Sequence, residues 1–213
     1  MDPPPDDGGG GGSGGGEGRG GEKGNGTSGL GSKDIRLTGF GVFKGDKLIT
    51  FLDERDSRVL KLLKDSINGS VITLIDEKVG IVSIEIVENN VKIKPKIENQ
   101  KLYCDIDISL SGNIGEIRGS QSVFDKKTIN RLNSLFRNSI QAEVEHLLDV
   151  ATENKIDFLG IGNKFYMKYP VKFKPFIDNW GTNFANIEFK INVNSHVRRS
   201  YVLDEPLKAG EDV

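Results

Sequence analysis

Between positions 82 and 110 apolar side chains recur at every second residue for most of the run, a period that suits a β-sheet with one buried face and excludes an amphipathic helix. With one turn at Asn89-Asn90 and a second over residues 98–101, residues 91–97 become the middle strand of a three-stranded meander. Val82, Ile84, Ile86, Ile93, Ile97, Leu102, Cys104, Ile106 and Ile108 then share one face. The opposite face aligns Glu85, Lys94 and Asp105 in alternating charge, with Lys92 beside Asp107, each pair worth about 0.2–1 kcal/mol. Pro95 conflicts with this register, because a middle strand has no spare donor, and predicts a bulge or an early end to pairing.

The flanking segments supply what such a sheet needs to bury. Residues 35–53 hold two β-rich runs around Lys44-Gly45-Asp46, which is hairpin chemistry. Asp53 can cap a helix whose apolar positions Val59, Leu60, Leu63 and Ile67 share a face and which Asn68-Gly69 ends; residues 71–75 are a short strand. After the glycine-punctuated segment SGNIGEIRGS, Asp125 can cap a long helix reaching about Asn154, with an apolar stripe from Ile129 through Phe136 and Val144 to Ala151. Residues 187–199 alternate Ile187, Phe189, Ile191, Val193 and Val197 with polar side chains, a long half-buried strand. Runs of strands set apart from runs of helices mean an α+β fold: a mainly antiparallel sheet with a long amphipathic helix and shorter helices packed on it.

Three segments are set by composition. Residues 1–33 are glycine-rich with almost nothing apolar to bury, so a disordered tail, an interdomain linker or an added expression linker is expected there. Residues 34–202 hold the folded domain, and 203–213 are expected to be a flexible C-terminal tail. The first segment carries five acids (Asp2, Asp6, Asp7, Glu17, Glu22) and three bases (Arg19, Lys23, Lys33). Removing them from the chain's 31 acidic and 29 basic residues leaves 26 of each. A neutral domain lacks the basic footprint of a nucleic-acid binder. No apolar run approaches the eighteen or so residues of a membrane span, so a soluble segment is expected.

Catalytic patterns are weak. His146 lies beside the stripe of the long helix and His196 on the polar face of the last strand, without an HxH, HExxH or Cys/His cluster. Gly39-Phe40-Gly41 and Gly160-Ile161-Gly162 lack the third glycine of a dinucleotide fingerprint and suit turns or close packing. Cys104 falls on the apolar face, as a small buried hydrophobe does, and its solitude excludes an internal disulfide. Asp53, Glu54 and Asp56 sit where a helix N-terminus favours acids. Ser28, Ser57, Ser111 and Ser139 have no nucleophile context. No catalytic residue, metal or cofactor is implied.

The remaining feature is the run IDFLGIGNKFYMKYPVKFKPFIDNW at 156–180, dense in rings and lysines, where Pro170 and Pro175 limit helix length. Spacing of three to four residues places rings in a core or on an interaction surface. Lys164, Phe165, Tyr166, Lys168, Tyr169, Phe173, Phe176 and Trp180 are the candidate partner-surface residues. The basic rim of Lys164, Lys168, Lys172 and Lys174 is also compatible with an anionic membrane surface nearby.

GFGVFKGDKLITFLDERDSRVLKLLK, VKIKPKIEN, GEIR at 115–118, the long helix, DFLGIGNKFYMKYP and FKINVNSHVRRS occur in order over nearly all of residues 34–200. This ordered set resembles the C-terminal domain of the Ger(x)C spore germination lipoproteins, the C subunits of nutrient germinant receptors in endospore-forming bacteria. The resemblance implies a non-enzymatic part in receptor assembly and signal relay beside integral-membrane A and B subunits, at the outer surface of the inner spore membrane. Family members carry a signal peptide, a lipidated cysteine and two preceding domains, so this chain is expected to be the detached third domain, with membrane association through parts of the full-length protein. The alternative role is a small-ligand domain that contacts the germinant through the aromatic 165–180 region.

Overall fold

A computed structural model of the protein describes residues 38–64, 69–118 and 125–198. The chain forms β1 (Phe40–Lys44), β2 (Lys47–Leu52), α1 (Glu54–Leu63), β3 (Ser70–Asp76), β4 (Gly80–Glu98), β5 (Lys101–Arg118) and α2 (Lys126–Glu153). It continues through α3 (Ile161–Lys168), α4 (Lys174–Ile177) and α5 (Trp180–Ala185) to β6 (Glu188–Arg198). β1 and β2 make a two-stranded antiparallel sheet, and a four-stranded sheet runs in the order β3-β4-β5-β6. Its first two pairings are antiparallel, whereas β6 lies parallel to β5. The fold is α+β with a mixed sheet, since a strand reached through the α2–α5 crossover can return in the direction of β5.

Helix caps act where the sequence places them. The Asp53 carboxylate accepts from the Asp56 amide at 2.8 Å, and Asp125 accepts from the Thr128 amide at 2.9 Å. α1 buries Val59, Leu62 and Leu63, while Leu60 is only partly covered. The helix closes at Leu63, earlier than expected, and Ile67 and Asn68 lie outside the described residues. α2 buries Leu132, Phe136, Ile140, Val144, Leu147, Leu148 and Ala151. Its Asn133 accepts from the Val197 amide at 2.6 Å through Oδ1, satisfying a donor on edge strand β6. Arg58 of α1 grips Glu143 of α2 through two bonds of 2.9 and 3.0 Å, which fixes the two helices together.

The expected meander is corrected in three respects. First, β4 is unbroken, and Asn89 and Asn90 stand in the ladder opposite Leu110 and Ser109 instead of turning the chain. The apolar set still moves from even to odd positions, from Val82, Ile84 and Ile86 to Val91, Ile93, Pro95 and Ile97. The shift comes from a bulge at Val87, the residue left between the paired Ile86 and Glu88. Second, most of SGNIGEIRGS belongs to β5, with a second irregularity at Gly115; residues 119–120 lie outside the described set. A Cβ on Gly112 would stand 2.4 Å from Ile84 Cγ2, so only glycine fits that crossing.

Third, Pro95 neither bulges nor ends pairing; it sits opposite Cys104 in continuous register. β3 covers β4 only as far as Ile86, so the far edge of β4 at Pro95 has no strand beside it. In an antiparallel strand the N–H and C=O of one residue point the same way. The Pro95 carbonyl points off the sheet, accepting from Lys168 Nζ at 3.0 Å, so the donor that proline lacks would have faced that same open edge. The charged face follows the expected pairing, with Lys94 opposite Asp105 and Lys92 opposite Asp107, although Glu85 stands apart beside Asn113. The ion pairs run diagonally, Lys94 to Asp107 and Lys96 to Asp105, both at 2.6 Å.

Candidate functional site

The chain leaves α2 through Lys155, whose positive φ of 53° turns it sharply, and Asp157 then organises the start of α3. Its Oδ1 accepts from the Ile161 amide at 2.8 Å and its Oδ2 from the Gly162 amide at 2.6 Å, capping the helix. The same Oδ2 accepts from Trp180 Nε1 at 3.2 Å, so one carboxylate fixes both the helix start and the indole. A Cβ on Gly162 would lie 2.7 Å from the indole, so this glycine is what allows the ring against α3.

From the indole a chain of rings runs into the core. Phe173 meets Trp180 edge-on at 5.1 Å and stacks on Phe165 at 5.5 Å, while Phe184 lies 5.8 Å from Trp180 and 6.1 Å from Phe189 of β6. Such contacts each add about 0.5–1.5 kcal/mol beyond burial. On the outer side of the indole the surface opens into a cleft of about 710 Å³. Trp180 and Phe173 form its floor, Tyr166 and Ile177 one wall, and Phe43 and Lys44 of the β1–β2 hairpin another, with Lys155 also in the lining. This volume is within the range of ligand and side-chain pockets.

The candidate surface residues divide. Phe165 is fully buried and Phe173 is 4% exposed, so Phe165 is withdrawn from the surface into the core and Phe173 contributes only to the cleft floor. The reason is the i, i+4 geometry of α3, which aims Phe165 beneath the helix beside Ile161 while Tyr166, one residue on, faces out and is 51% exposed. Tyr169, Phe176 and Trp180 are half-buried, and Lys164 and Lys168 are exposed. Lys168 is engaged by the Pro95 carbonyl and lies 5.2 Å from the Tyr169 ring. Phe43, Lys44 and Lys155 were not among the candidates, because nothing in the sequence links a hairpin at 43 to a helix at 166.

The other chemical groups stay apart. His146 is exposed, 3.7 Å from Asp56, and His196 is exposed on β6. Burial, with Asp53 adding to it, raises the Asp56 carboxyl above the usual carboxylate range. Burial also pushes the Cys104 thiol up to about 12, where it is no nucleophile. Gly39 and Gly160 have φ of 84° and 78°, as turn glycines do, and the two amides that open α3 are taken by Asp157 and cannot serve a phosphate. Among the described residues no group of three or more His, Cys, Asp or Glu is placed to hold a metal, and no helix is long and apolar enough to cross a membrane.

The fold and the cleft define the molecule as an α+β domain with a mixed sheet and an aromatic hollow on its surface. The sequence profile of the family described as "Spore germination B3/ GerAC like, C-terminal" matches residues 38–201, and the chain belongs to that family, the Ger(x)C group of spore germination proteins. It is 24% identical over 128 residues to spore germination protein KC of Bacillus subtilis (strain 168), covering 60% of this chain and 31% of that protein. It is 23% identical over 164 residues to spore germination protein YndF of the same organism, covering 75% of this chain and 41% of that one. The chain thus spans well under half the length of these relatives. The crystal structure of the GerBC protein shares the fold, with a TM-score of 0.68 at 24% identity over 76% of this chain and 51% of that one.

Proposed function

We propose that this domain, residues 34–202, acts without catalysis in a nutrient germinant receptor, joining its C subunit to the integral-membrane A and B subunits and relaying the nutrient signal between them. The receptor would stand at the outer surface of the inner spore membrane, attached through other parts of a full-length lipoprotein. Membership of the germination family supports the setting. The observation that carries the role is the aromatic cleft, whose rim leaves Phe43, Tyr166 and Ile177 exposed. Exposed rings grouped around a hollow mark a contact surface more readily than scattered apolar residues do. The test is a full-length protein carrying Phe43→Asp and Tyr166→Asp, two exposed positions whose replacement spares the core. Nutrient germination and copurification of the membrane subunits should both fall; unchanged values for both would refute the role.

A second role has the same cleft in its favour, since about 710 Å³ with an indole floor would also admit a small nutrient. Calorimetry of the protein with amino acids and sugars separates the two, because saturable binding that Tyr166→Asp abolishes would assign the cleft to the germinant.

A further inference from the structure

The segments that form the cleft are net basic, although the lining itself holds two lysines, 44 and 155, and two aspartates, 157 and 178. Between positions 154 and 180 stand five lysines (155, 164, 168, 172 and 174) and two aspartates. Both oxygens of Asp157 are occupied by the α3 amides and the indole, and Lys168 is held by Pro95. Among the described residues no carboxylate lies within ion-pair distance of Lys44 or Lys155 in the lining, nor of Lys164, Lys172 or Lys174. Asp157 keeps its negative charge but directs it at the start of α3 and the indole, which leaves Lys44 and Lys155 without an ion-pair partner among the described residues.

The apolar surface also extends past the cleft. In the hairpin, Phe43 stands opposite Leu48 and Phe51 opposite Gly41, and the position of a Cβ on Gly41 is 2.9 Å from the Phe43 ring and 3.3 Å from Leu48. Phe43, Leu48 and Phe51 therefore share the outer face of the sheet, with Phe51 73% exposed. An apolar strip that begins at a recessed indole and continues across a hairpin is longer than a metabolite. A bilayer would meet the protruding rings but would not fill the hollow above Trp180.

We infer that the cleft and the hairpin face receive an acidic, apolar segment of another protein chain, whose ring or branched side chain enters the hollow while its carboxylates meet Lys44 and Lys155. This rests on the domain being an interaction module and adds the chemistry of what it holds. The test places photoreactive benzoylphenylalanine at position 43 or 166 of the full-length protein in intact spores, with position 75 on β3 as a control site, and maps the adducts by mass spectrometry. The expected adducts from 43 and 166 lie on one receptor membrane subunit, in a segment with Asp or Glu beside apolar residues. Lys44→Glu with Lys155→Glu should cut their yield at least about tenfold, since two attractions become repulsions, and reversing the partner's acids should restore it. Adducts on lipid, on a second copy of this chain or on a segment without acids would overturn the inference, as would a yield indifferent to charge reversal. Protein adducts from position 75 alone would overturn it while leaving an interaction role in place; none from any site, with Phe43→Asp and Tyr166→Asp germinating normally, would remove both.

Discussion

Gly162→Ala tests the physical core of the site. The added methyl would stand 2.7 Å from Trp180 Cε2 and 2.9 Å from Cζ2 and Nε1, well inside contact distance. The indole cannot retreat inward, because Phe165, Phe173 and Phe184 pack around it with ring centroids 5.1–6.2 Å away. It must swing toward the cleft, which breaks its bond to Asp157. Overpacking of this kind costs about 1–3 kcal/mol, and the lost hydrogen bond adds about 0.5–1.5 kcal/mol. Against this, alanine gains at most about 1 kcal/mol over glycine in a helix, and less in the first turn, where 162 lies. The balance is a loss of about 0.5–4.5 kcal/mol, or about 1–18 °C in Tm for a domain of this size. Trp180 is the only tryptophan in the chain, so its emission reports the movement directly. Urea titrations followed by emission and by far-UV circular dichroism should show a red-shifted native spectrum and a lower midpoint at unchanged slope. A native spectrum identical to the parent's, with an equal or higher midpoint, would mean that the indole does not rest on α3.

Three further outcomes are expected from the same geometry. Pro95→Ala should lower stability by about 1–3 kcal/mol, the entropy that proline removes from the unfolded chain together with the lost burial of ring carbons, because its missing donor faces an open edge and the new N–H gains no partner; a rise in the urea midpoint would place Pro95 inside a paired ladder. Cys104 should react with a thiol-specific chromogenic disulfide at pH 8 only as fast as the protein opens, and rapid labelling of the native state would contradict its burial. Asp56 has its folded-state pKa raised, chiefly by burial and then by Asp53, with His146 and Arg55 opposing. A carboxyl that binds its proton more tightly when folded adds stability below the ordinary carboxylate range and loses that contribution as pH rises through the folded value. Asp56→Asn should therefore gain on the parent between pH 3 and pH 7 in urea midpoints, and a variant that loses ground over that interval would show the carboxylate to be favourable in place.

How much of the fold was legible in the sequence depends on the range of the interaction. Caps are local, so Asp125 and Asn154 bracket α2 as its sequence predicts, and the Lys44-Gly45-Asp46 turn joins β1 to β2. The pairing of Lys94 with Asp105 was also readable, because the turn at Asn99 and Gln100, both at positive φ, sets it. The meander failed at Asn89-Asn90 because a turn and a bulge both move the apolar set from even to odd positions, and asparagine favours the turn. What decides for the bulge lies elsewhere: β5 is long enough, through Arg118, to pair with all of β4. Nor does the alternation along β6 carry its direction; the helical crossover does.

The aromatic run shows the same division at the level of function. Its three-to-four spacing says only that rings will gather, and the structure sends Phe165 and Phe173 inward while Tyr166 stays at the surface. Which rings face out is settled by neighbours remote in sequence. Cys104 and Ile106 of β5 lie in the core cluster that receives Phe165, and Phe43 supplies the wall that turns an exposed Tyr166 into one side of a cleft. A surface hollow made this way has no local motif, because its two walls come from segments more than a hundred residues apart that meet only once the sheet has formed. Its composition is nonetheless mixed, since Phe43, Tyr166 and Ile177 stand in the same lining as Lys44, Lys155 and Asp178, side chains that pair an apolar body with a polar tip among them.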